Sequence, residues 1–238
     1  MRVNSPGTSK SAPAEPELTI VLPAFNEQRF IAQVLATVTE GFPGAEVILV
    51  SDGSTDGTQE IAAHFGHGVQ CIHYQPNRGK GYAIRQGMLA AAGGLVVFTD
   101  ADLPFGAEGI HRVVDRLRSE SGVDIVIASK TGIRRGPVYR VVRHIARAGI
   151  ALLTGLRYPD TQAGLKGFRA PVAKAIYSRT RVDGFASDIE VLYLAKQDGL
   201  RVAVLPMPVA GGFARPSTFG LRQGWRLLKD VGRIRLGR

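Results

Sequence analysis

Thr99-Asp100-Ala101-Asp102 places two carboxylates two residues apart at the end of an apolar run, and a second apolar run ends in Asp52. On an extended segment, side chains at i and i+2 point the same way. Asp100 and Asp102 then form a pair suited to a hard divalent cation, Mg2+ or Mn2+, that keeps waters and takes its other ligands from a diphosphate. Carboxylates gathered at one edge repel each other, so cations or hydrogen-bond donors must satisfy them. Asn77-Arg78-Gly79-Lys80-Gly81 offers such a group: the glycines allow close backbone approach, and Lys80 at a helix N-terminus suits a phosphate. It matches neither the P-loop nor the dinucleotide-binding glycine pattern.

Asp52-Gly53-Ser54-Thr55-Asp56-Gly57 has the outline of a calcium loop but lacks the closing glutamate. Ser54 or Thr55 is expected to cap the following helix, leaving Asp52 free to face a ligand. Asp188 and Glu190 can orient a sugar or an acceptor, or can cap and decorate a helix. His64, His67, His73, His111 and His144 are scattered without catalytic-looking neighbours, which leaves them as surface or core residues.

Strands and helices alternate around these segments. Apolar runs at Leu18 to Leu22, Glu46 to Val50, Val69 to Tyr74, Leu95 to Thr99 and Asp124 to Ala128 read as strands. Helical spacing falls between them at Arg29 to Glu40, from Ser54 or Thr55 to about His64, at Gly81 to Ala92 and at Ala107 to Ser119. That order predicts an α/β fold with a mostly parallel sheet and helices on both faces, whose ligands sit at the carboxyl ends of the strands. Further on, Val138 to Leu153 reads as a helix with Arg140, Arg143, His144 and Arg147 in one arc, followed by a loop at Pro159, Asp160 and Gly164. Helices from about Ala170 and at Ser187 to Gln197, and a strand at Arg201 to Leu205, complete the pattern. Residues 1–16, rich in Pro, Ser, Ala and Gly, read as a disordered leader, 17–210 as one α/β domain, and 211–238 as a basic amphipathic segment.

Within 238 residues the net charge of +10 is uneven. Ala128 to Pro159 carries +7 without a carboxylate, Arg215 to the end carries +6, and the remainder is −3. Such patches attract nucleic acid, an anionic membrane or phosphorylated ligands. No helix-turn-helix, zinc or RNA-recognition signature accompanies them, so nucleic acid is the less favoured partner. The lone Cys71 forms no intrachain disulfide and suits a reducing compartment.

Four segments in order, Leu-Pro-Ala-Phe-Asn-Glu (22–27), Val-Ser-Asp-Gly-Ser-Thr-Asp-Gly (50–57), Asn-Arg-Gly-Lys-Gly-Tyr-Ala-Ile-Arg-Gln-Gly (77–87) and Asp-Ala-Asp (100–102), resemble the inverting family-2 glycosyltransferases of the GT-A fold. Within that family the chain is most similar to the dolichyl-phosphate or polyprenyl-phosphate glucose and mannose synthases. Ala128-Ser129-Lys130 sits where they carry a phosphate-binding basic residue, and residues 160–168 look like a glucosyl-branch segment.

The resemblance implies that Pro23, Ala24, Asn26, Glu27, Asp52, Lys80, Asp100 and Ala101 bind the nucleotide sugar, and that Asp100 and Asp102 hold the metal. It further implies that Lys130, Arg140, Arg143 and Arg215 bind the acceptor or donor phosphates, with Asp102, Gln162 and Asp188 as catalytic candidates. Pro104 stands where some members have a metal-binding glutamine. A phosphate acceptor is already anionic at neutral pH, so no general base is needed to make the nucleophile.

The implied activity is transfer of a hexose from UDP-glucose, or GDP-mannose, to a polyprenyl or dolichyl phosphate with inversion. A soluble enzyme acting on a phosphorylated small molecule is the alternative. The tail, with Trp225, Leu227, Leu228, Val231, Ile234 and Leu236 interleaved with cations, reads as an interfacial helix on the cytoplasmic face of a membrane.

Overall fold

The computed structural model describes residues 16–66, 68–131, 137–210, 230–232, 234 and 235. Its core is a seven-stranded sheet in the order β3-β2-β1-β4-β6-β5-β7. The strands are β1 (Leu18–Ala24), β2 (Glu46–Asp52), β3 (Val69–Tyr74), β4 (Leu95–Thr99), β5 (Ile125–Thr131), β6 (Leu165–Arg169) and β7 (Val202–Pro208). All neighbours run parallel except β6, which is antiparallel to both β4 and β5.

Each central strand feeds two layers because its side chains alternate across the sheet. Ile20, Leu22, Val47, Leu49 and Val97 meet α1 (Ile31–Gly41), α2 (Thr58–His64) and α4 (Gly106–Ser119) on one face. Val21, Ile48, Val50, Val96 and Phe98 meet α3 (Lys80–Ala90), α6 (Ala170–Tyr177), α7 (Ser187–Gln197) and the C-terminal part of α5 (Pro137–Thr154) on the other. Strands buried on both faces read as continuous apolar runs, which is why they were recognisable in the sequence.

Two expectations are corrected. A strand, β6, occupies Leu165–Arg169, where the sequence reading had only a loop before a helix; Lys166 and Gly167 in its middle interrupt the apolar signal. Helix α2 begins at Thr58, after Gly57, with no side-chain cap at that position. Ser54 and Thr55 do not cap it; Asp56 Oδ1 instead accepts from the Thr58 N–H at 3.1 Å.

At the C-terminus a few positions are described. Val231 and Ile234 are buried in the layer formed by α5, α6 and α7, and Arg235 Nη1 donates to the Leu153 carbonyl at 2.7 Å. At those two positions the apolar side chains face protein, not an interface. The leader through residue 15 and, of the tail, residues 211–229, 233 and 236–238 lie outside the described residues.

Candidate active site

The order of strands reverses beside β1, with β2 on one side and β4 on the other. That crevice at the carboxyl ends of strands is where open α/β sheets bind ligands, and it receives Asp52 from β2 and Asp100 from beyond β4. Asp100 and Asp102 lie on a turn, not on an extended segment: the Leu103 N–H donates to the Asp100 carbonyl at 2.9 Å, and Leu103 itself is left-handed, with φ 42°.

Lys80 Nζ forms an ion pair with Asp100 Oδ1 at 2.5 Å. Burial pushes the Asp100 carboxyl up, but the ammonium of Lys80, with help from Lys166 and Lys130, outweighs it and holds Asp100 below the usual carboxylate range. Burial and the Asp100 charge push Asp102 up. Burial disfavours the Lys80 ammonium, yet Asp100, Asp188 and Asp102 together raise its pKa. Lys80, Lys130, Asp100, Asp102 and Asp188 are therefore one electrostatic cluster.

The carboxylate pair fits a hard divalent cation. Asp102 Oδ1 is buried with no hydrogen-bond partner among the described residues, an arrangement that costs free energy unless something cationic approaches. Gly164 leaves the space that the Asp100 carboxylate occupies, since a Cβ there would fall 2.1 Å from Asp100 Oδ2. Among the described residues, no group of three or more His, Cys, Asp or Glu could hold a metal. Two protein carboxylates thus leave the other coordination positions to water and a ligand. Pro104 lends no side-chain ligand, and its carbonyl accepts the Ala210 N–H at 3.0 Å.

Several candidates turn out to hold loops together. The Asp52 carboxylate is not free: Oδ1 accepts the Arg78 N–H at 2.8 Å and Oδ2 the Gly79 N–H at 2.9 Å. Replacing Asp52 with alanine strands both donors and is expected to cost about 2–3 kcal/mol, read as a fall in Tm; Asp52→Asn, which keeps one acceptor, should cost less. Asn26, left-handed at φ 55°, accepts from the Thr55 N–H at 2.9 Å, while its own N–H donates to Ser54 Oγ at 3.1 Å. The Glu27 N–H donates to Thr58 Oγ1 at 2.8 Å. Pro23, Ala24 and Ala101 are buried beside these loops.

The start of α3 is not an open anion site either. Two donors of its first turn, the Gly81 and Tyr82 N–H groups, are taken by the Asp183 carbonyl at 2.8 and 3.2 Å. Gly79, at φ 106°, lets the chain pass that carbonyl, to which a Cβ would come within 2.5 Å. A phosphate here would meet the Lys80 side chain, not the helix N-terminus.

Gln162 and Asp188 are committed elsewhere. Gln162 Nε2 donates to the Phe185 carbonyl at 3.1 Å. Asp188 is buried and ion-paired with the fully buried Lys166 at 2.5 Å. Glu190 Oε2 accepts from the N–H groups of Arg181 and Val182 at 3.1 and 2.9 Å, fixing the loop before α7. The sequence reading missed Lys166; a lysine with no carboxylate near it in sequence, inside an otherwise apolar segment, was the available signal.

A cleft of about 480 Å³ is lined by Ser129, Lys130, Thr131, His144, Arg147, Pro159 and Pro206. Lys130 connects the two regions: it lines the cleft, and its charge favours the ionised forms of Asp100 and Asp102. His144, expected to be an ordinary surface or core residue, lines it too. The side chains of Arg140 and Arg143, and all of Arg215, lie outside the described residues.

The family model for glycosyl transferase family 2 matches residues 19–177. A dolichyl-phosphate beta-glucosyltransferase of Drosophila melanogaster is 32% identical over 76% of the chain, which spans 63% of that relative's length. A dolichyl-phosphate hexose transferase of Haloferax volcanii is 29% identical over 81% of the chain and 82% of its own length. A crystal structure of glucosyl-3-phosphoglycerate synthase from Mycobacterium tuberculosis with Mn2+, UDP and phosphoglyceric acid superposes with a TM-score of 0.71 at 23% identity, over 93% of this chain and 78% of that one. At that identity the likeness shows the shared GT-A architecture.

Proposed function

Because the chain belongs to glycosyltransferase family 2, we propose that it transfers a hexose, with inversion, from a nucleoside diphosphate sugar to the phosphate of a polyprenyl or dolichyl phosphate. UDP-glucose is the favoured donor and GDP-mannose the other candidate. The observation that carries this reading is Lys130: it lines a cationic cleft with hydroxyl groups in its wall, and its charge reaches the carboxylate pair, so an anionic acceptor and a diphosphate donor share one electrostatic field. The names of the Drosophila and Haloferax relatives support a dolichyl-phosphate acceptor.

Asp100 and Asp102 would hold Mg2+ or Mn2+, which supplies Lewis-acid stabilisation of charge on the leaving diphosphate. Lys80, on release from Asp100, is within the same cluster and can pair with a donor phosphate. Arg147 and Lys130 bind the acceptor phosphate, and Arg147 can do so through two parallel N–H groups. Their field steers an anion into the cleft and keeps it ionised, so the acceptor needs no base.

No described helix is long and apolar enough to cross a membrane. An acceptor whose lipid stays in a bilayer requires the enzyme to meet that surface, and we place it on the cytoplasmic face. With Val231 and Ile234 turned into the protein, that contact rests on the cations of the tail attracted to anionic lipid.

Lys130→Ala and Arg147→Ala test the cleft. Each is expected to raise the KM for polyprenyl phosphate about 10-fold or more, the loss of one charge-assisted phosphate contact, while in Arg147→Ala the UDP-glucose protection against thermal unfolding stays unchanged. An unaltered acceptor KM in both variants would remove the cleft from the acceptor site.

A further inference from the structure

The pair formed by Lys166 and Asp188 is out of proportion to any stabilising role. Lys166 is fully buried on β6, inside the sheet, and Asp188 is buried in the first turn of α7. Removing two charges from water costs more than a well-packed apolar pair would, so such an ion pair is weak grounds for stability. Its surroundings indicate another use.

Lys166 Nζ also donates to the Ala163 carbonyl at 2.8 Å and lies 5.2 Å from the centre of the Phe98 ring. One residue on, the Gly164 carbonyl accepts the Asp100 N–H at 2.9 Å, and the missing Cβ of Gly164 makes room for the Asp100 carboxylate. Gln162, in the same loop, bonds to the carbonyl of Phe185, just ahead of α7. Residues 162–164 are thus fastened to the start of α7 by two polar ties and form the shelf on which Asp100 rests.

We propose that Lys166 is a positioning residue: with Asp188 it clamps the Ala163–Gly164 shelf and so sets where the Asp100 carboxylate stands for the metal-diphosphate donor. This rests on the donor-site reading above. Lys166 touches neither donor nor acceptor in this account, and Asp188 acts through the lysine.

The experiment compares wild type with Lys166→Met, Asp188→Ala and the double variant Lys166→Met/Asp188→Leu. Tm, the affinity for Mn2+ with UDP, and kcat are measured for each. Lys166→Met leaves Asp188 buried without its cation and is expected to lower all three. The double variant removes both charges and is expected to regain the wild-type Tm, while affinity for Mn2+ with UDP remains weakened and kcat stays down about 10²-fold, the scale of a small misplacement in a reacting site.

Recovery of affinity and kcat together with Tm would reduce the pair to packing and overturn the proposal. A fall in kcat with wild-type Mn2+ and UDP affinity would place the pair on the acceptor side and overturn it equally. If the double variant does not fold, Asp188→Ala, which removes the acceptor for Lys166 and so opens the clamp, decides: unchanged affinity for Mn2+ with UDP contradicts the proposal. Wild-type protein that binds no Mn2+ with UDP would overturn the donor-site reading itself, a result distinct from any pattern among the variants.

Discussion

Replacing Asp102 with alanine is expected to lower kcat by about 10³-fold or more while leaving the protein as stable as wild type or slightly more so. Asp102 contributes a buried oxygen without a partner among the described residues and a charge that repels Asp100. Its removal relieves that repulsion and the burial of the carboxylate, which offset the lost attraction to Lys130 and Lys80 and the bond to its own backbone N–H, a trade of stability for function expected where a ligand site is held ready. Steady-state turnover and thermal unfolding on the same preparation check both halves. A marked loss of Tm would make Asp102 a structural residue, and turnover surviving in excess chelator would dissociate the carboxylate pair from metal-assisted chemistry.

Lys80→Met should have the second largest effect, and its two consequences run in opposite directions. Turnover is expected to fall about 10²-fold, because the ammonium that would meet the donor diphosphate is gone. Mn2+ binding without nucleotide is expected to tighten about 10-fold or more, because the ion pair that now neutralises Asp100 no longer competes with the cation. Manganese titration followed by electron paramagnetic resonance reads the second effect without any turnover. Unchanged manganese affinity would mean that the pairing of Lys80 with Asp100 does not compete with the metal. Wild type should also bind Mn2+ more tightly with UDP present, since the diphosphate gives Lys80 another partner, and by linkage Mn2+ should tighten UDP to the same degree.

What the sequence discloses and what it conceals have physical causes. The strands β1, β2 and β4 are apolar on both faces, and their terminal carboxylates stand out against that background, so Asp52, Asp100 and Asp102 could be found by inspection. What those carboxylates touch depends on residues distant in the chain. Asp52 is satisfied by Arg78 and Gly79 N–H, 26 and 27 residues away, and so braces a loop where the sequence alone left it facing a ligand. The Asp183 carbonyl, about 100 residues beyond Gly81, closes the helix terminus that the glycines and Lys80 seemed to open for phosphate.

Strand β6 was hidden for a related reason. Lys166 reads as a surface residue unless Asp188 on α7 is known to lie against it, and only the pairing makes a buried lysine tolerable in the sheet. At the C-terminus, alternating apolar and cationic residues fit a packed helix as well as an interfacial one, and the burial of Val231 and Ile234 decides for packing at those positions.

The central claim, hexose transfer from a nucleotide sugar to a lipid-linked phosphate, is tested most directly by incubating the protein with labelled UDP-glucose, Mg2+ or Mn2+, and polyprenyl phosphate in anionic vesicles, then counting the butanol-extracted phase. Label is expected in that phase only when metal and polyprenyl phosphate are both present, and no comparable product is expected when 3-phosphoglycerate replaces the lipid. Label confined to the aqueous phase, carried by the glycerate phosphate, would contradict the lipid acceptor and establish a soluble phosphorylated one instead.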